Sequence, residues 1–248
     1  MGRRQEQGAR RSSRHVGFFA GIVTAWLSLA GCADISQILQ SSAAAGGQPN
    51  QAALVRGIKE SLELGSTRAA AQLSQPGGYR NHPLYRIKLP EAVQPIAATL
   101  RKFGLGSQID RVESLMNQGA EQAAVEAKAI FVAAVREMSI TDAMGIVRGR
   151  DTAATEYFRT RTEAQLRQRY LPIVQSNLQK IGFYQQYQQL LSGYKKLPLA
   201  DKPDLDLEQH VLTQSLNALF SQVAEEEKAI RKDPLGRGSS AIAAVFGR

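Results

Sequence analysis

The residues able to do chemistry are few and scattered. Asn117 and Glu121 stand four apart, and Asp142, Thr155, Arg159, Glu227 and Arg231 follow along the chain. Carboxylates, a hydroxyl and guanidiniums gathered between helices would form a polar pocket able to bind or hydrolyse a polar ligand. The same side chains, distributed as helix caps and interhelical ion pairs, would fix register instead. Beyond residue 31 only His82 and His210 remain as imidazoles, and neither sits in a Glu-x-x-His or His-Glu-x-x-His pattern. Without those spacings a carboxylate-bridged metal pair or a zinc hydrolase site is not encoded. No metal and no cofactor is expected. A Gly-x-Ser-x-Gly elbow and the glycine-rich phosphate loops are absent as well.

Those residues need elements to hold them, and the periodicity is helical almost throughout. Asn50 is placed to cap a helix carrying Leu54, Ile58, Leu62, Ala69 and Leu73, which Pro76-Gly77-Gly78 ends. Residues 79–90 alternate instead, and predict a short extended arm or hairpin. Pro90 opens another helix that stops at Gly104. Ser107 with Asp110 reads as a capping box for the longest pattern, Ile109 through Met138. It carries Asn117 and Glu121 on one face, and its many alanines predict close helix approach. Ser139 with Asp142 caps a short helix ending near Gly149. Asp151 or Thr152 opens a helix through Tyr170 with a bend expected at Pro172. Asp206 caps the last long helix, closed by Pro234, and 241–246 is expected to fold back on the bundle. The expectation is an all-α fold: one irregular helical bundle over residues 51–248.

The single cysteine, Cys32, has its own context. Five arginines (Arg3, Arg4, Arg10, Arg11, Arg14) precede an uncharged apolar run from Val16 to Gly31. A membrane span needs roughly 20 apolar residues, so this run is short, and its plan is that of a secretory signal. It ends Leu29-Ala30-Gly31-Cys32, which resembles the lipobox of bacterial lipoproteins, with Cys32 as the residue that receives lipid. A thiolate suits that role because it is a strong nucleophile, and two or three acyl chains anchor a protein stably where one does not. Residues 1–31 then read as signal peptide and 32–50 as lipidated cysteine and flexible tether, rich in Ser, Ala and Gly. The paired Arg10-Arg11 lacks the apolar residues that usually follow in a twin-arginine signal. Ala33, where the sorting rule of enteric bacteria places Asp for inner-membrane retention, favours the outer membrane.

Charge must be assigned by segment. The 248 residues hold 31 Lys and Arg against 22 Asp and Glu, a net +9, but residues 1–31 contribute +4 of it. Nucleic-acid binding is therefore not expected. A local arginine surplus between Arg148 and Arg169 is an alternative contact for anionic envelope surfaces.

Several stretches, in order, resemble a bacterial family: Gly78-Tyr79 with Ile87-Lys88-Leu89-Pro90, Asn117 through Ala123, Thr141-Asp142-Ala143 with Gly149, Ala153 through Arg159, and Glu226-Glu227 with Ile230-Arg231 and Pro234. They are similar to the domain-of-unknown-function family numbered forty-one ninety-seven, of uncharacterised envelope proteins. Where members carry Asn-Arg-Ala-Ala-Glu, this chain reads Asn117-Gln118-Gly119-Ala120-Glu121. The expectation is an envelope lipoprotein facing the periplasm, held to the membrane by its N-terminal lipid, with a non-catalytic binding or scaffolding domain for an envelope protein or anionic surface. The alternative is a periplasmic ligand-binding protein or hydrolase using the acidic and arginine side chains between helices.

Overall fold

A computed structural model describes residues 50–195 and 206–247. Its helices are α1 (Gln51–Leu73), α2 (Gln94–Lys102), α3 (Gly106–Glu137), α4 (Ala143–Arg148), α5 (Ala153–Lys180), α6 (Phe183–Lys195), α7 (Leu207–Lys232), α8 (Pro234–Arg237) and α9 (Ser240–Phe246). Among the described residues there is no strand. Leu29, Ala30, Gly31 and Cys32, with the tether up to residue 49, lie outside the described residues.

Local chemistry explains most of the boundaries. Asn50 Oδ1 accepts from the Ala53 N–H at 2.8 Å, Asp142 from Gly145 at 2.7 Å and Asp206 from Gln209 at 3.0 Å. Each satisfies an N–H that the first helical turn leaves without a partner. Gly104, at φ +81°, supplies the left-handed residue that ends α2.

Four long helices form the body. α1 packs on α3 and α7, α3 on α5, and α5 on α7, closing a ring. Cross-contacts give the direction. Lys59 reaches the Arg136 carbonyl, Arg169 pairs with Glu137 while Asn177 meets Glu126, and Thr155 meets Glu227 while Gln175 meets Glu208. Neighbours therefore run antiparallel, an up-down-up-down bundle. Phe131, Phe158 and Phe220, from α3, α5 and α7, meet at its centre with ring centroids 5.2–5.8 Å apart. Such ring pairs add about 0.5–1.5 kcal/mol each beyond the area they bury. Ala120, Ala123, Ala124 and Ala127 are fully buried on α3, as its alanine content predicts.

Of the two alternatives for 79–90 the extended arm holds, and three other expectations need correction. Segment 79–90 is an extended arm after a series of turns, with no hairpin partner; its backbone bonds to side chains of α3. Ser107 and Asp110 form no capping box, because α3 starts at Gly106 and Asp110 is drawn to Arg101 at 2.6 Å; nor do Ser139 and Asp142, because α4 starts at Ala143 and Asp142 is itself the cap. α5 does not end near Tyr170: it continues past Pro172 to Lys180, its inner face kept on the core by Tyr170, Val174 and Leu178.

The short α9 folds back on α1, where Gly57 gives it room. A Cβ at position 57 would collide with Val245 and approach the Ala241 carbonyl to 3.0 Å. Gly57→Ala is accordingly expected to destabilise the chain by about 1–3 kcal/mol, measured by urea denaturation. An unchanged midpoint would mean α9 is not seated on α1.

Candidate functional site

The seven candidate polar residues do not gather in one place. The antiparallel bundle puts Asn117 and Glu121 at the end where α1 finishes, and Asp142, Thr155, Glu227 and Arg231 at the end where α1 begins. Arg159 lies along the α5–α7 seam between them.

At the first end, α3 holds the arm. The Asn117 side chain accepts from the Ile87 N–H at 2.9 Å and donates to the Ile87 and Glu113 carbonyls at 2.7 Å each. Glu113, one turn earlier, accepts from the Leu89 N–H at 3.1 Å. One turn later, Glu121 Oε1 accepts from the N–H groups of Tyr79 and Arg80 at 3.3 and 3.2 Å. The spacing i, i+4, i+8 aligns three acceptors along one helix face, where they replace the strand that an extended arm would otherwise need. His210 Nε2 donates to the Lys88 carbonyl at 2.8 Å from the other side. The Tyr79 hydroxyl, fully buried, donates to the Ser215 carbonyl at 3.2 Å. Burial, then the nearby Tyr170 and Glu121, hold its pKa well above the usual phenol value. Glu113 was not among the residues singled out from sequence. Its signal was the four-residue step to Asn117.

At the second end, Glu227 does the work of a missing cap. Thr152 makes no side-chain cap to α5. Instead Glu227, from α7, accepts from the N–H groups of Ala154 at 3.0 Å and Thr155 at 2.7 Å, and from the Thr155 hydroxyl at 2.6 Å. A carboxylate is well placed at a helix N-terminus, where partial positive charge collects. Arg231 then neutralises Glu227 from one turn later, with Nε at 2.9 Å and Nη2 at 2.8 Å from Oε1. The same guanidinium donates to the Ile146 and Val147 carbonyls at 3.1 Å each, meeting the C-terminal end of α4. One buried ion pair thus ties the end of α4 to the start of α5. Glu227 is 2% exposed. Asp142 belongs to the other end of α4, as its cap.

Arg159 faces a third environment. It pairs with Glu163 at 2.8 Å, donates to Asn217 Oδ1 at 2.5 Å and lies over the Phe220 ring at 5.2 Å. Four other arginines of that region are engaged too, all but Arg148: Arg150 with Glu156, Arg167 with Glu163, Arg169 with Glu137, and Arg161 over Tyr157. The Tyr157 hydroxyl donates to the Ser139 carbonyl at 3.0 Å, and its hydrogen bond with Thr141 lowers its pKa.

Of the seven, Arg231 lines a pocket of about 420 Å³ between α1, α4, α7 and α9. Among the described residues no cluster of three or more His, Cys, Asp or Glu is placed to hold a metal, and no helix is long and apolar enough to cross a membrane.

No curated protein and no solved structure matches the chain. A family model described as "Protein of unknown function (DUF4197)" matches residues 48–247. That span contains the arm, the three acceptors on α3, the Asp142 cap and the Glu227–Arg231 pair, so the geometry just described lies wholly inside it, and the chain belongs to the DUF4197 family.

Proposed function

We propose that the chain is a bacterial envelope lipoprotein whose helical domain binds or scaffolds a partner on the periplasmic side, with the outer membrane favoured by Ala33. The observation that carries this reading is the position of the only cysteine, directly after Leu29-Ala30-Gly31 and behind a basic and then an apolar segment. The domain is capped at Asn50, so residues 33–49 are available as the link to the anchor. A non-catalytic role is supported by what the candidate side chains do. Both oxygens of Glu227, both polar atoms of Asn117 and all three nitrogens of the Arg231 guanidinium serve the fold. For partner binding, the arm offers Leu84, 81% exposed, among Arg80, Arg86 and Lys88.

Cys32→Ser is the test. In cells fed labelled palmitate, the parent chain is expected to carry label and to run as the processed form. The variant is expected to lose all label and accumulate as precursor. Equal processing and labelling of the two would overturn the lipoprotein reading.

A further inference from the structure

The cavity beside Arg231 has the composition of a binding site for a small amphiphile. Its floor is buried: Leu54 from α1 with Val245 and Phe246 from α9. Met144 and Val147 of α4, both half-buried, form the wall, and Arg148 and Asp151 stand at the mouth. Five apolar side chains around about 420 Å³ fit the size and character of small-molecule pockets.

The charged groups lining the cavity are Arg148, Asp151 and Arg231, two cations against one anion. Glu227 is matched by Arg231 at 2.8 Å and Lys228 by Glu225 at 2.8 Å, which leaves Asp151 as the one acidic group on the lining. Arg148 remains, exposed and without a partner among the described residues. Arg231 adds a direction. Its guanidinium carbon lies over the Phe246 ring, 4.4 Å from the centroid, with the group held by Glu227 and the two α4 carbonyls. The second N–H of Nη1 has no acceptor among those contacts. A guanidinium held in place with an Nη1 N–H to spare, beside the unpaired Arg148, suits an anionic head group. The apolar floor suits the body that follows it.

We propose that this cavity binds a small carboxylate with an apolar body, the head group held by Arg148 and Arg231 and the body lying on Leu54, Val147, Val245 and Phe246. Such a site is independent of whether Cys32 is lipidated. Because α9 forms part of the floor, occupancy would also secure the C-terminal helix on α1.

The test uses the full chain and titration calorimetry, with decanoate and 4-phenylbutanoate as carboxylate probes below micellar concentrations. Decanol and decyltrimethylammonium are the matched neutral and cationic probes. At least one carboxylate is expected to bind tenfold or more tightly than decanol, and the cationic probe not at all; which carboxylate binds tells whether the body is aliphatic or aromatic. Arg148→Glu is expected to abolish the preference over decanol. Met144→Trp, which fills the cavity from its half-exposed wall, is expected to abolish binding, with circular dichroism confirming that both variants are folded. Equal affinity for decanol and both carboxylates, binding unchanged in folded Met144→Trp, or no binding of either carboxylate would overturn the assignment.

Discussion

Replacing Glu227 with Ala is expected to lower the unfolding free energy by about 3–5 kcal/mol, the range for removing one partner of a buried ion pair. Two losses combine. The Arg231 guanidinium, with its side chain 11% exposed, keeps its charge with no counter-ion. The N–H groups of Ala154 and Thr155 lose their acceptor at the start of α5. Since Thr152 supplies no side-chain cap, nothing local takes over. The double variant Glu227→Ala, Arg231→Met separates the two contributions. Removing both charges abolishes the uncompensated ion, so the double variant is expected to be more stable than Glu227→Ala alone, though still below the parent because the α5 N-terminus stays uncapped. Urea denaturation of the full chain reads both. A loss below about 1 kcal/mol for the single variant would show that the pair is not the clamp between α4 and α5 described above.

Why this clamp was hard to foresee follows from where its parts come from. Caps made by the residue just before a helix were legible at Asn50 and Asp206, which each bond three residues onward, while at α4 Asp142 takes that place without Ser139. The cap of α5 comes from a residue 72 positions away, and no local pattern encodes that. What the sequence did carry was an acid in an apolar stripe: Glu227 follows Val223 and precedes Ile230 on the buried face of α7. A carboxylate there must find donors, but periodicity does not say which. Ser107 and Asp110 failed in the opposite way, offering a local capping pattern that lost to Arg101, a long cation nine residues back. The bundle itself was legible because helical periodicity survives in every long segment. Pro172 misled because a proline's local cost, about 3 kcal/mol, was outweighed by the packing of Val174 and Leu178 beyond it. The candidate pocket divided because sequence spacing places residues on a face, whereas the antiparallel topology decides which faces meet.

Asn117→Ala should act on the arm more than on the bundle. Ile87 is 1% exposed, and both its N–H and its carbonyl bond to Asn117. Each buried polar group left unsatisfied costs about 1–3 kcal/mol, and the chain can avoid that cost by letting the arm leave α3 for water. Local release is therefore expected before global unfolding. Arg80, Arg86 and Lys88 are exposed on the arm, so trypsin should cut the variant there at least tenfold faster than the parent. Amide exchange should accelerate at Ile87 and Leu89, while the amides of α5 and α7 keep their protection. The conservative variant Asn117→Asp distinguishes hydrogen bonding from packing. It keeps an acceptor for the Ile87 N–H but loses the donor to the Ile87 and Glu113 carbonyls, and it adds a charge one turn from Glu113. If the Asn117 amide works by pairing both backbone groups of Ile87, Asp will free the arm nearly as much as Ala does. If Asp instead preserves the slow cleavage of the parent, the Ile87 N–H bond alone fixes the arm, and the two carbonyl contacts contribute little.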